Sequence, residues 1–346
     1  KSTNSIQFLR YRFLMSRRST RVIHALYKEE RAVVRIGAHQ EEVDIRQGVR
    51  QGCSLSPALF NLYIQRAMDE VLDNIGKTGG VRIQGERIHC LRFADDKAML
   101  AESEQDLMRI LEEMENTFEK FNMKINKRKT KILVASRKGT QADCMLGGEK
   151  IENVDAFTFL GSKITSDGKS YTEIWSRINQ AKTAFNKKHA LLTSNSTTIQ
   201  LRKRLIKTFV WSVLLYGSET WTIGERGQKR IDAFEMWCHR WMLKIPWTEK
   251  VTNEEVLRRA EEEKLCLMDM VRRRRNIWIG HLMRHGGILG TVLEGAVEGT
   301  NARGRPRREY MDQVVEDVGC GSYREMKRLA EDREAWRTAV TNQSND

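Results

Sequence analysis

The six cysteines of this 346-residue chain are scattered, with no Cys-x-x-Cys pair among them. That gives no disulfide framework and no standard zinc ribbon, and it fits a reducing, intracellular setting, nuclear or cytoplasmic. Cys238, His239, His281 and His285 offer no closed four-ligand spacing for zinc either. Long apolar runs are missing too. The longest, Phe209 to Tyr216, is interrupted by Ser212, so neither a signal peptide nor a membrane partner is expected. The chain lacks an initiator methionine and has no aspartate before Asp44; the first point suggests a truncated, spliced or frameshifted chain. Acidic residues are outnumbered, 46 against 60 basic ones, for a formal net charge of +14. Such an excess points to a polyanionic partner, most often nucleic acid.

What is present centres on Arg92-Phe93-Ala94-Asp95-Asp96-Lys97-Ala98-Met99-Leu100. His89 to Phe93 and Lys97 to Leu100 each read as a strand, with Ala94 to Asp96 as the turn between them. Two carboxylates on such a turn project together and repel each other unless a cation bridges them. Hard oxygen ligands suit Mg2+, which also binds triphosphates. Phosphoryl-transfer enzymes use such sites to clamp attacking and leaving oxygens, with two metals about 3.5–4 Å apart. An Asp-Asp pair is also a common turn filler, so the flanks carry weight.

Upstream, Arg46-Gln47-Gly48-Val49-Arg50-Gln51-Gly52-Cys53-Ser54-Leu55-Ser56-Pro57 joins a glycine-bearing loop to an apolar helix from about Pro57 through Val71. Ser56 reads as its N-cap and Pro57 as its first residue. Gly48 and Gly52 let backbone approach a ligand, and the helix start suits an anion. An ordinary loop and capped helix would look the same. Downstream, Glu102 to Phe121 has helical periodicity, with Leu107, Ile110, Leu111, Met114 and Phe118 on one side. The lysines of Asn126-Lys127-Arg128-Lys129-Thr130-Lys131 suit phosphate contacts or proton donation to a pyrophosphate leaving group; a solvated charged loop reads equally well. Phe157 to Thr165 reads as a strand with a glycine break, followed by a turn at Asp167-Gly168.

In this order, Gln51-Gly52 with Leu55-Ser56-Pro57, Phe93-Ala94-Asp95-Asp96, Asn126 with Lys129-Thr130, and Phe159-Leu160-Gly161 resemble the palm of a reverse transcriptase of the non-LTR retrotransposon type. Further blocks resemble the RTE clade: Tyr216-Gly217-Ser218-Glu219-Thr220-Trp221, Arg230-Ile231-Asp232-Ala233-Phe234-Glu235, Trp237-Cys238, Ile245-Pro246-Trp247-Thr248, Gly280-His281-Leu282-Met283-Arg284 and Asp332-Arg333-Glu334-Ala335-Trp336-Arg337. The resemblance runs from about Ser19 to the end. It implies an RNA-directed DNA polymerase, a nucleotidyltransferase that copies an RNA template from a nicked DNA primer with deoxynucleoside triphosphates and Mg2+. No obligate protein partner is inferred. By resemblance Asp95 is the principal metal ligand and Asp96 a weaker one. Arg46, Gln51 and Gly52 line the nucleotide and template pocket, Lys129 acts near the leaving pyrophosphate, and Phe159, Leu160 and Gly161 support the primer end.

The family's palm needs another metal-binding aspartate on a strand before the Gln-Gly motif. Asp44 sits too close to that loop, Glu29 and Glu30 are poor substitutes, and Lys1 to Met15 does not match that strand. The two-metal site is therefore expected to be incomplete and a sheet edge left open. The amino-terminal segment is a candidate to cover that edge without a carboxylate. The expectation is a chain of RNA-directed DNA polymerase ancestry with impaired activity; the alternative is a non-catalytic, nucleic-acid-binding remnant.

The fold class expected is α+β: a partial palm of small antiparallel sheet and helices over 1–168, a helical thumb over 169–224 and a helical region over 225–294. A basic linker over 295–308 and carboxyl-terminal helices over 309–346 complete it. In the thumb, Tyr171 to Ala190 has Ile174, Ile178, Ala181 and Phe185 on one face. Thr198 to Tyr216 carries an apolar stripe including Ile199, Leu201, Leu205, Ile206 and Phe209, with Arg202, Lys203 and Arg204 outward. Helices are expected over about Gln228 to Leu243, Asn253 to Glu262 and Leu267 to Arg284, with Trp237, Trp241, Trp247 and Trp278 read as core residues. Arg272, Arg273, Arg274 and Arg275 cover every side of one turn and, with Arg305 and Arg307 of the linker, are candidate RNA or DNA contacts. Two last helices are expected over about Arg308 to Val318 and Ser322 to Thr341, with Trp336 as their anchor.

Overall fold

The computed structural model describes residues 16–28, 31–45, 48–136, 140–295 and 310–342. Glu29, Glu30, Arg46, Arg305, Arg307, the amino-terminal segment Lys1 to Met15 and most of the basic linker lie outside the described residues. The fold is α+β, as expected, and its strands form two-stranded ribbons rather than one sheet. The chain divides into two units, one drawn from Lys1–Val81, Arg87–Thr130 and Asp143–Ile151, the other from Arg82–Glu86, Lys131–Ala142 and Glu152–Asp346.

In the first unit, α1 (Arg17–Tyr27) is started by Ser16, whose hydroxyl accepts the Ser19 N–H. The ribbon β1 (Arg31–Ile36) and β2 (His39–Asp44) follows, then α2 (Ser56–Ile75). β3 (Val81–Ile83) and β4 (Glu86–Ile88) form a short hairpin, of which Arg82–Glu86 belongs to the second unit. Next come β5 (Cys90–Phe93), β6 (Asp96–Met99) and α3 (Glu104–Lys120), which is capped by Ser103 accepting from Asp106 N–H. The core lies between α2 and α3. Ala67, Met68, Val71 and Ile75 meet Ile110, Met114 and Phe118, and Cys90 and Met99 of the β5–β6 ribbon pack on them. The apolar period of α3 is thus the one expected, and α2 runs one turn further than expected because Leu72 and Ile75 continue its stripe. Gly76, at φ 57°, ends it.

The second unit begins with a short parallel pair, β7 (Lys131–Ile132) with β10 (Glu152–Asn153). Between them in sequence, β8 (Met145–Leu146) and β9 (Glu149–Lys150) form a ribbon of the first unit. The segment expected as one strand with a glycine break is instead a hairpin, β11 (Ala156–Phe159) and β12 (Ser162–Thr165). Leu160 (φ 49°) and Gly161 (φ 80°) both take positive φ, the requirement of a two-residue turn whose twist matches its strands.

Helices follow: α4 (Tyr171–Lys187), α5 (His189–Leu192) and α6 (Ile199–Ile206). A single π-helical turn (Lys207–Trp211) leads into α7 (Ser212–Leu214). Then come α8 (Glu225–Met242), α9 (Asn253–Arg259), α10 (Leu267–His285) and α11 (Ile288–Glu294). The last are α12 (Tyr310–Asp317), α13 (Tyr323–Glu331) and α14 (Arg333–Asn342). The single helix expected beyond Ser322 is broken at Asp332, whose carboxylate accepts the N–H groups of Glu334 and Ala335 and starts α14. One core gathers α4, the π turn, α8 and α10 around Phe185, Trp211, Trp221 and Phe234; a second gathers α10, α12, α13 and α14 around Trp336. No helix of the described residues is long and apolar enough to cross a membrane.

Candidate functional site

β5 and β6 are antiparallel with Phe93 opposite Asp96 and Arg92 opposite Lys97, so the turn holds two residues, Ala94 and Asp95. Ala94 takes φ 50°, a region that costs a residue with a Cβ and that hairpin turns normally reserve for Gly, Asn or Asp. Strand alternation puts Cys90, Arg92, Lys97 and Met99 on one face and Leu91, Phe93, Asp96 and Ala98 on the other. The first face docks on the α2–α3 core, where the Lys97 ammonium lies 5.5 Å from the Phe118 ring centroid and donates to the Asp95 carbonyl at 3.2 Å. Burial lowers the Lys97 pKa, and the Asp95 charge opposes that shift. The second face is open: Phe93 is 65% exposed, and Asp95 and Asp96 are both exposed. No other described strand pairs with this ribbon, and its base is extended where Leu100 N–H donates to His89 O and Gly80 N–H donates to Leu100 O, both at 2.8 Å.

The two carboxylates thus stand at one projecting bend, as the sequence led one to expect. Mg2+ accepts one or two carboxylates and keeps its remaining positions for water and substrate phosphates, a demand this donor pair fits. A two-metal clamp needs a further ligand. Among the described residues no group of three or more His, Cys, Asp or Glu side chains could hold a metal ion.

The loop holding Gln51 and Gly52 is tied down from both sides. Ser56 Oγ donates to Arg50 O at 2.6 Å and shares a 3.1 Å hydrogen bond with the Tyr27 hydroxyl. Arg50 reaches back to Leu26 O at 3.0 Å. Ser56 therefore does not cap α2, whose first turn has no side-chain cap; its hydroxyl fastens the loop instead. Gly48 (φ 102°) and Gly52 (φ 81°) both need the freedom that glycine has, and nothing lies within 4 Å of where a Gly52 Cβ would be. The N–H of Leu55 and the Tyr27 hydroxyl lower the Cys53 pKa. Lys129 is exposed on a turn built by Asn126, whose side-chain oxygen accepts the Lys129 N–H at 3.1 Å and whose carbonyl accepts from Thr130.

In the second unit, the Leu160–Gly161 turn is held by three residues that the sequence reading did not single out for this role. The Tyr216 hydroxyl donates to Leu160 O at 2.8 Å, and Arg177 donates to Gly161 O. Arg177 is paired with Glu173 at 2.7 Å, both buried, and Glu173 also accepts the Lys163 N–H at 2.7 Å. A Cβ on Gly217 would come 2.9 Å from Ser162 Oγ, so the Tyr216-Gly217 step sits directly against this hairpin.

The candidate phosphate-contacting residues sort by burial. Arg202 turns inward and donates to Met242 O at 2.8 Å, at the end of α8, while Lys203 reaches the carbonyls of Ala260 and Glu261 just past α9. Both satisfy helix-end carbonyls, Leu201 is exposed in their stead, and only Arg204 of the three faces solvent. Arg275, 2% exposed, is a core residue bound to Trp221 O, Gln313 and Asp317. Arg272 pairs with Asp269 and Asp317, and Arg274 with Glu219. Arg273 remains exposed on the outer side of the turn. Of the tryptophans expected in the core, Trp241 and Trp247 are exposed.

Residues 7–164 match the family described as reverse transcriptase (RNA-dependent DNA polymerase). Over 105–122 residues, the chain is 33% identical to Pol polyproteins from type-1 retrotransposable element R2 of Nasonia vitripennis and Popillia japonica. Residues 7–164 thus resemble the reverse transcriptases of non-LTR retrotransposons. The matches cover 35% and 30% of this chain but only 11% and 14% of those polyproteins. It is also 26% identical over 221 residues, 62% of its own length and 78% of the relative's, to an uncharacterized transposon-derived protein of Caenorhabditis elegans. By family resemblance this stretch is that of an RNA-directed DNA polymerase. The matched region contains the Asp95–Asp96 bend, the Gln51–Gly52 loop, Lys129 and the Leu160–Gly161 turn.

Proposed function

We propose that the chain is part of an RTE-like enzyme that copies RNA into DNA from a nicked chromosomal 3′ hydroxyl, and that its own activity is impaired. The carrying observation is the exposed bend at Asp95 and Asp96, a carboxylate pair suited to Mg2+ that, among the described residues, lacks the further ligand a two-metal clamp requires. Bound there, Mg2+ would neutralise triphosphate charge and lower the pKa of the attacking hydroxyl. Asp95 and Asp96 would hold it, Gln51 and Gly52 would face the incoming nucleotide, and Lys129 would lie near the departing pyrophosphate. The Phe159–Gly161 turn, braced by Arg177 and Tyr216, would seat the primer end. In this reading residues 1–168 are the palm remnant and 169–224 the thumb, with Arg204 and Arg273 as phosphate contacts. The partners are an RNA template, a DNA primer and deoxynucleoside triphosphates.

The test is Mg2+-dependent primer extension on an RNA template, with filter binding of the same template and primer as control. Expected are retention of nucleic acid that weakens by about 0.7–0.9 log units per log unit of salt for each phosphate contacted, and little synthesis. Asp95→Asn should lower whatever synthesis remains by on the order of a hundredfold or more, the rate equivalent of several kcal/mol of metal stabilisation. Robust extension abolished by Asp95→Asn would overturn the impairment, and extension indifferent to Asp95→Asn would overturn the site.

A further inference from the structure

Helices α4 and α8 pack together in the second unit, burying Ile174, Ile178 and Phe185 of one against Ile231, Phe234 and Cys238 of the other. Along the rim of that packing runs a series of aromatic rings, two of them with a cation alongside. At one end the Arg230 guanidinium lies 4.0 Å from the Trp175 ring centroid. Further along, the Lys182 ammonium lies 5.3 Å from the Trp237 ring centroid. At the other end Trp241 is 5.7 Å from Trp237 and edge-on to His189 at 5.6 Å.

The spacing that produces this line is visible in the chain. Trp175, Lys182 and His189 recur every seven residues, and Arg230 and Trp237 do the same on α8, one stripe per helix. From Trp175 to Lys182 the line extends about 10 Å along α4 at 1.5 Å per residue, and His189 at the start of α5 continues it. The tryptophans at its two ends are not core residues: Trp175 is 45% exposed and Trp241 43%. Half-open indoles lose the burial that would justify them in packing alone, whereas an amphipathic ring with one face in water suits a stacked ligand.

Aromatic faces interleaved with cations are the pattern that binds unpaired nucleic acid, since every base has a face to stack and every linkage a charge to neutralise. A duplex hides its base faces and cannot use the indoles. A polyproline segment also docks on aromatic-lined surfaces, but it brings no negative charge to Arg230 and Lys182. We propose that the α4–α8 rim is a track for a single-stranded stretch of nucleic acid, with the exposed Trp175 and Trp241 stacking bases and Arg230 and Lys182 on the backbone; Trp237, stacked on Phe234, is the platform between them. This rests on the nucleic-acid reading above, and it adds which form of strand is held and where.

The experiment titrates the full chain, at one fixed salt concentration, into three labelled probes: a 12-nucleotide oligouridylate, a 12-base-pair RNA–DNA duplex and decaproline. The double substitution Trp175→Ala with Trp241→Ala should weaken oligouridylate binding by about tenfold to a hundredfold and duplex binding by less than about threefold. Trp175→Phe with Trp241→Phe should restore most of the affinity, separating stacking from any loss of fold. Equal losses for both nucleic acids, no loss for oligouridylate, or no recovery with phenylalanine would each overturn the proposal. So would decaproline binding more tightly than oligouridylate. Primer extension by the same preparations keeps the two readings apart. A chain that makes no DNA yet holds oligouridylate through these indoles retains the track, and one that binds neither nucleic acid loses both.

Discussion

Glu235→Ala should destabilise the second unit by about 2–4 kcal/mol and lower its melting temperature by roughly 4–16 °C. Glu235 is fully buried in α8, and its two carboxylate oxygens accept the N–H groups of Cys266 at 3.0 Å and Leu267 at 2.8 Å. Those are orphan donors at the start of α10, where a negative charge is also favoured by the aligned peptide dipoles. Alanine leaves both donors buried and unpaired and opens a void beside them. Glu235→Gln keeps one acceptor in place and should cost about half as much. Thermal melts of the three proteins at one pH decide it, and an alanine variant melting within 2 °C of the parent would refute the capping role.

Trp336→Ala should cost about 3–5 kcal/mol, the usual range for deleting a buried tryptophan. The indole is buried among Ile279, Val314, Met326 and Ala330, and its N–H donates to Asn276 O at 2.9 Å. It rests on Gly280, where an added Cβ would come 2.2 Å from Nε1. Gly280→Ala should therefore also destabilise, by about 1–3 kcal/mol through overpacking. Because both changes act on one contact, the double variant should fall short of the sum of the two losses. Urea unfolding of the four proteins measures this, and strict additivity would show that the ring and the glycine do not depend on each other.

Much of this was legible from residue spacing. The buried side of α3 and the Trp336 anchor follow from apolar periods, and the Asp95–Asp96 bend from two strand-like runs around an Asp pair, although Ala94 there takes its φ of 50° against local preference. What escaped was the direction of individual charges. Arg275 is one of four consecutive arginines, yet Val271, Arg275 and Ile279 are four apart, so it lies on the buried stripe of α10. Arg202 stands in the same relation to Ile206 and Val210. Glu173 and Arg177, four apart beside Ile174 and Ile178, carried the signal of an inward ion pair. The hairpin at Leu160–Gly161 was hidden because Leu160 is a poor residue for positive φ; Tyr216, 56 residues away, helps hold it there. No local rule sees a partner at that distance.

The π turn at Lys207–Trp211 gives this helix its working geometry. A regular helix advances 100° per residue, so one residue accommodated in a widened turn re-clocks everything beyond it by about that angle relative to everything before. Upstream, Arg202 and Ile206 face the interior; within and beyond the widened turn, Val210, Trp211 and Leu214 do so as well, and Tyr216, past the end of α7, reaches the hairpin. The widened turn thus acts as the joint that sets the bearing of α7 against α6.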